Sequence, residues 1–241
     1  MLSDMFCIQS PVQPKTLMAL TLACAAASSW AQSNSSPDDE RVYLTLQTNR
    51  LLSPRAGGPD VAMGGPVVLH GRTELASGQG WGLALGREYR RERDDQTFRH
   101  TRYELEYWRG SVRRDSLSVS SIHLLPHDQL DAQALTVNAL LRVGTTENTR
   151  WWAGAGLGYG QVKYPDLSGS VPGCKCLGPA DASGLAWRVK FLVERQVSAD
   201  SALFLQLGHL GLPGGATPGV PSTRYGKLGA NEVAVGLRVR F

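Results

Sequence analysis

Polar and apolar residues alternate one for one over most of the chain. From Ala230 to Phe241, Val233, Val235, Leu237, Val239 and Phe241 interleave with Glu232, Ala234, Gly236, Arg238 and Arg240. A period of two places alternate side chains on opposite faces of a β-strand. Seven earlier segments carry the same pattern, at about 41–52, 79–90, 99–112, 132–144, 150–163, 183–196 and 200–210. In the first, Val42, Leu44 and Leu46 oppose Tyr43, Thr45, Gln47 and Asn49; in the third, Tyr103, Leu105 and Tyr107 oppose Arg102, Glu104 and Glu106. Strands of roughly 10 residues with one apolar face cross a hydrocarbon layer when tilted. The expected fold is all-β: an eight-stranded, antiparallel, up-and-down transmembrane β-barrel.

Connection lengths support closure. Segments 53–78, 113–131, 164–182 and 211–229 are long, whereas 91–96, 145–149 and 197–199 are short. Strict long–short alternation matches a barrel with tight periplasmic turns and longer outer loops, and an even strand count puts both termini on the periplasmic side.

The apolar periodicity leaves charge on the predicted inner face. Glu88, Glu104, Glu106, Glu194 and Glu232 are opposed there by Arg142, Arg188, Lys190, Arg238 and Arg240. An eight-stranded ring leaves an interior that side chains fill, and buried charge is tolerated when paired. A salt-bridged plug is therefore expected. Trp81, Tyr103, Tyr107, Trp151, Trp187 and Phe241 are expected to form aromatic girdles near the two interfaces. The inward column Gly154, Gly156, Gly158 and Gly160 has the wrong spacing for a dinucleotide loop. It is expected to make room for large neighbours such as Arg142 or Arg188.

The N-terminus sets the compartment. Lys15, an apolar run from Leu17 to Ala27, and Ser29-Trp30-Ala31 describe a signal peptide over 1–31, cleaved after Ala31, with 32–241 as the barrel domain. A lipidated Cys24 is the alternative, although Thr21-Leu22-Ala23-Cys24 fits that signal poorly. Cleavage removes one acid and one base, so the net charge of +4 is unchanged. It is spread thinly and gives no basic stripe for nucleic acid.

Three short stretches resemble known barrels. They are Trp151-Trp152-Ala153-Gly154-Ala155-Gly156-Leu157-Gly158-Tyr159-Gly160, Thr136-Val137-Asn138-Ala139-Leu140-Leu141 and Gly236-Leu237-Arg238-Val239-Arg240-Phe241. Over most of 40–241 the chain resembles small outer-membrane barrels of the outer membrane protein A membrane-domain, opacity and surface-antigen type. The resemblance implies an outer-membrane location, and a terminal Phe241 that is part of the signal read by the barrel assembly machinery. Cell-wall tethering is not implied, because the sequence stops at the barrel.

Other constellations are weaker. Cys174 and Cys176 lack zinc-site spacing and are candidates for a disulfide, local or between chains. His123, His127 and Asp128, with Ser118, Ser120 or Ser121, are the raw material of a hydrolase triad, and His209 is a histidine near the end of a late strand. Neither forms a recognisable catalytic pattern, so no enzyme, cofactor or metal is expected. The long loops are the expected place for surface partners. The expected role is structural or surface interaction in outer-membrane lipid. The alternatives are a narrow pore or carrier for small hydrophobic solutes, and a lipid-modifying barrel enzyme.

Overall fold

The computed structural model describes residues 40–90, 100–120, 122–126, 128–167, 179–217 and 222–241. The predicted signal peptide, the turn at 91–96, His127, Cys174 and Cys176 lie outside the described residues. Among the described residues there are twelve strands: β1 (Glu40–Ala56), β2 (Asp60–Ala62), β3 (Val68–Arg90), β4 (His100–Val119), β5 (Ile122–Leu124), β6 (Asp128–Thr145), β7 (Thr149–Tyr164), β8 (Ala180–Gln196), β9 (Ser201–Leu212), β10 (Gly215–Ala216), β11 (Ser222–Tyr225) and β12 (Leu228–Arg240).

Eight of them close a ring in the order β1, β3, β4, β6, β7, β8, β9, β12, with every pairing antiparallel. All eight predicted segments are ring strands. The first and last close on each other from Tyr43 opposite Arg240 to Ala56 opposite Leu228, and the Phe241 N–H donates to Val42 O at 2.9 Å. Closure leaves no edge with unpaired backbone groups, which is the condition for strands to stand in lipid. Short β2, β5, β10 and β11 were not foreseen. They decorate the upper rim, meaning the end with the long loops, where β2 pairs with β3 and β11, and β5 pairs with β4.

The register shifts between Leu52 and Arg55 on β1. Ser53 has a φ of 45° there, and Pro54 follows it. A bulge is one of the few strand positions where the missing N–H of proline costs nothing.

The lower part of the wall is apolar outside. Leu46, Leu105, Val137, Leu157, Val189, Leu205 and Val235 are among its exposed side chains. Aromatics fringe this belt on both sides, with Tyr103, Trp151 and Phe241 toward the short turns and Trp81, Tyr107, Tyr159 and Trp187 toward the long loops. Trp81 meets Tyr107 edge-on at 5.6 Å.

Higher on the strands the chemistry inverts while the geometry stays the same. On β6 even-numbered residues face inward throughout. Thr136 and Asn138 are polar inside while Leu135 and Val137 are exposed outside. Above them Leu130, Ala132 and Ala134 are buried, and Gln129, Asp131 and Gln133 face outward. Strand β8 does the same, with Ala180, Ala182 and Ala186 buried above Arg188 and Lys190. Together with Leu51, Trp108, Val112, Val162, Tyr164, Leu210, Tyr225 and Leu228 they form one apolar core inside the upper ring. The upper wall thus follows the rule of a water-soluble barrel, and the lower wall follows the rule of a lipid-embedded one.

Candidate functional site: the charged lumen

Below the apolar core, carboxylates and cations of the described residues fill the interior. They are Glu88, Glu104, Glu106, Glu194 and Glu232, with Arg102, Arg188, Lys190, Arg238 and Arg240. Arg150, at the lower mouth, adds a further cation 3.8 Å from Glu194. Strand β4 supplies Arg102, Glu104 and Glu106 at alternate positions, and β8 supplies Arg188, Lys190 and Glu194 from the opposite wall. Period-two geometry delivers all six to the lumen.

The contacts run across the barrel. Lys190 Nζ donates to Glu104 at 2.8 Å and to Glu106 at 2.5 Å. Arg188 bridges Glu106 and Glu232, the latter at 2.5 Å. Arg238 bridges Glu194 and Glu104, the latter at 3.2 Å. Arg240 reaches Glu194 as well. Neutral donors complete the shells: Tyr43 Oη on Glu104 at 3.0 Å, Gln47 and Asn138 on Glu106 at 2.7 and 3.0 Å, and Gln206 on Glu232 at 2.7 Å. A carboxylate such as Glu106, with four donors around it, has the partners that make buried charge tolerable.

Arg102 joins the two ends of this array. Its guanidinium donates to Glu194 at 2.6 Å and Glu88 at 2.8 Å, and lies 3.5 Å from the centre of the Trp152 ring. Although its face of β4 was legible, Arg102 was missing from the expected set of interior charges. The signal was present, because it shares parity with Glu104 and Glu106. Arg142 takes the other course. It was expected among the interior bases, but it sits half-exposed near the lower mouth and makes no ion pair among the described residues. It keeps its inward parity opposite Trp152, but stands at the open end of the row, just before the ladder with β7 slips at Gly144.

The glycine column also differs from expectation. A Cβ on Gly156 would stand 1.9 Å from Asn138 Oδ1, and one on Gly158 would stand 1.9 Å from Leu135 O. At Gly154, Gly156 and Gly158 the nearest atoms belong to β6, and at Gly160 to Ala186, Leu212 and Pro213, with neither Arg142 nor Arg188 among them.

The histidines do not assemble into a triad in the described residues. His123 is exposed and pairs across the ladder with Ser118. Asp128 is ion-paired to Arg114. His209 lies on the outer wall, stacked on Trp187 at 5.1 Å and within 2.8 Å of Asn231. No cluster of metal-ligating residues occurs among the described residues. At the upper rim Tyr164 stacks on Tyr225 at 4.2 Å and donates to Gly226 O at 3.1 Å. Burial pushes the Tyr164 phenol up to about 12.

A closed ring with an apolar belt and ionised side chains inside defines a transmembrane β-barrel of the outer-membrane type. The sequence matches no family model, and no curated protein matches it. Among solved structures it is similar to Neisserial surface protein A, at 12% identity over 83% of this chain and 97% of that one, with a TM-score of 0.46. It is also similar to the outer membrane protein OprG from Pseudomonas aeruginosa, at 12% identity over 84% and 96%, with a TM-score of 0.47. The outer membrane protein AlkL, at 11% identity over 87% and 93%, also scores 0.47. Likeness of this degree says nothing of what the chain binds.

Proposed function

We propose that this protein is an integral outer-membrane barrel whose work is done by the surface it presents above the bilayer, and that its lumen is closed. The observation that carries the reading is the inversion along the strands. The wall continues upward as a packed barrel with a dry core, and so holds the long loops and the β2, β10 and β11 extension on a stiff base. Loops on a rigid scaffold are the usual seat of recognition. The lumen supports the second half of the reading, because Glu104, Glu106, Arg188, Lys190 and Arg238 interlock across a ring already narrow enough for side chains to fill. The proposal assigns the protein no reaction. Phe241, exposed on the lower rim, is assigned to recognition by the assembly machinery.

Planar-bilayer recording tests closure: the folded protein is expected to give no steady conductance, and stable channels overturn that half. Replacing 60–67 by a Gly/Ser linker tests the other half. Binding of cells carrying the variant to host surfaces is expected to fall while the unboiled gel mobility of the barrel is unchanged. Unchanged binding sinks the surface role.

A second reading, carriage of small hydrophobic solutes, draws support from the apolar upper interior around Trp108, Leu130 and Val162. It requires saturable uptake of an alkane-like solute into vesicles containing the protein.

A further inference from the structure

The outer wall carries uneven charge at the height where polarity inverts. Arg50 on β1 and Arg109 and Arg113 on β4 face outward and are exposed. In the ladder Arg50 stands opposite Gln79, Arg109 opposite Trp81 and Gln133, and Arg113 opposite Gln129. Asp115 accompanies them, 3.0 Å from Arg113 Nε. Asp131 on the neighbouring β6 stands opposite Ser111, and Lys163 on β7 lies in register between Asp131 and Asp181. On this side Arg50, Arg109 and Arg113 thus outnumber Asp115 and Asp131.

That same side carries an open hollow of about 450 Å³. Its polar lining includes Arg50, Arg113, Ser111 and Gln129, and its apolar lining is Val233 and Val235. No carboxylate lines it among the described residues. Arg50 gives one donor to Ser77 Oγ at 3.2 Å, which fixes the guanidinium at the wall. Val235 belongs to the exposed apolar belt below.

The hollow is thus cationic and rich in donors on one side and greasy on the other, at the level where the wall leaves the hydrocarbon. This is the polarity of a single anionic amphiphile. Guanidinium groups grip phosphate with paired donors, where an ammonium offers only a point charge. We propose that the hollow binds the phosphorylated headgroup of an outer-leaflet lipid, with Arg50 and Arg113 on the phosphate and Val233 and Val235 along the acyl chain. Arg109, beside Trp81, extends the cationic strip for a second anionic group. The assignment rests on the membrane-spanning reading above.

The test uses the full mature chain folded in detergent micelles, with lipid A as probe and bound lipid counted by native mass spectrometry. Wild type is expected to retain lipid A, and the Arg50→Gln/Arg113→Gln variant to bind it about 30-fold more weakly, as loss of two headgroup-level cations implies. Lys163→Gln, on β7 and outside the lining of the hollow, is expected to match wild type. Dephosphorylated lipid A is expected to bind wild type no better than lipid A binds the double variant. Inorganic phosphate at millimolar excess is expected to leave the lipid in place. Equal retention by wild type and the double variant, or equal binding of the dephosphorylated lipid, overturns the site. Displacement by inorganic phosphate overturns the lipid as its source and makes it a free-anion site. If the double variant fails to fold on an unboiled gel, the dephosphorylated probe on wild type decides alone. Failure of the underlying reading is recognised separately, by a wild-type chain that folds in plain buffer without detergent.

Discussion

The Arg102 guanidinium lies 3.5 Å over the Trp152 indole while it donates to Glu194 at 2.6 Å. One residue thereby ties the aromatic floor of the lumen to the acid shared by Arg238 and Arg240. Arg102→Met removes a partner of buried Glu194 and of part-buried Glu88 and is expected to destabilise the barrel by about 3–5 kcal/mol. Arg142→Gln, at the mouth and outside the network, is expected to change stability by less than about 0.5 kcal/mol. Urea unfolding in lipid vesicles, followed by Trp fluorescence, compares the two; equal losses would remove Arg102 from its central place.

Gly158 offers a backbone test of the β6–β7 seam. A methyl there meets Leu135 O at 1.9 Å, whereas at Gly144 the nearest atom is 3.7 Å away. Gly158→Ala is expected to cost about 1–3 kcal/mol, because strand backbone must move. Gly144→Ala is expected to be neutral. The temperature at which the fast-migrating gel band disappears reads both.

The inversion on β6 predicts opposite responses to the same substitution. Val137→Arg puts a cation on the lipid face and is expected to cost about 2–4 kcal/mol if Val137 stands near the midplane. Gln129→Arg, on the same outward face but above the switch, is expected to leave stability unchanged. Leu130→Asp, one residue away and facing inward, is expected to be severe, since it places an unpaired carboxylate in the apolar core. A similar cost at positions 129 and 137 would erase the boundary.

Alkaline titration probes the upper core. The Tyr164 phenol is raised from its ordinary 10.0 to about 12, chiefly by burial. Its neutral form is favoured by the folded state. The stability it contributes is therefore full below pH about 10 and is lost as pH rises toward about 12. Hydrogen exchange at 161–164 is expected to accelerate over that window, and Tyr164→Phe to flatten the response while losing the bond to Gly226. An unchanged pH response in the variant would assign the effect elsewhere.

The ring was legible because a half-buried strand writes its two faces into every second residue. Segment 132–144 announced Leu135, Val137 and Ala139 as one face without any tertiary information. The expectation went short where one face changes meaning along its length. Leu130, Ala132 and Ala134 share parity with Thr136 and Asn138, yet they belong to a dry core and not to the polar lumen. The cue was Gln129, Asp131 and Gln133 turning outward polar at the same point, which reverses the side that water occupies. Arg102 was visible by parity. The partners of each carboxylate were not, because cross-lumen contacts join β4, β8 and β12 from distant parts of the chain. The short strands β2, β5, β10 and β11 were hidden for a different reason: with two to four residues each, they have no room to show a period.

From Ala134 up to Asp128, β6 covers about 20 Å along its axis. Over that stretch the ring behaves as a stiff collar standing clear of the lipid. The long connections spring from this collar and not from the bilayer surface. Insertions and sequence drift in them are absorbed before they reach the lipid-facing staves, so the exposed crown is free to diversify quickly while the anchored part holds still.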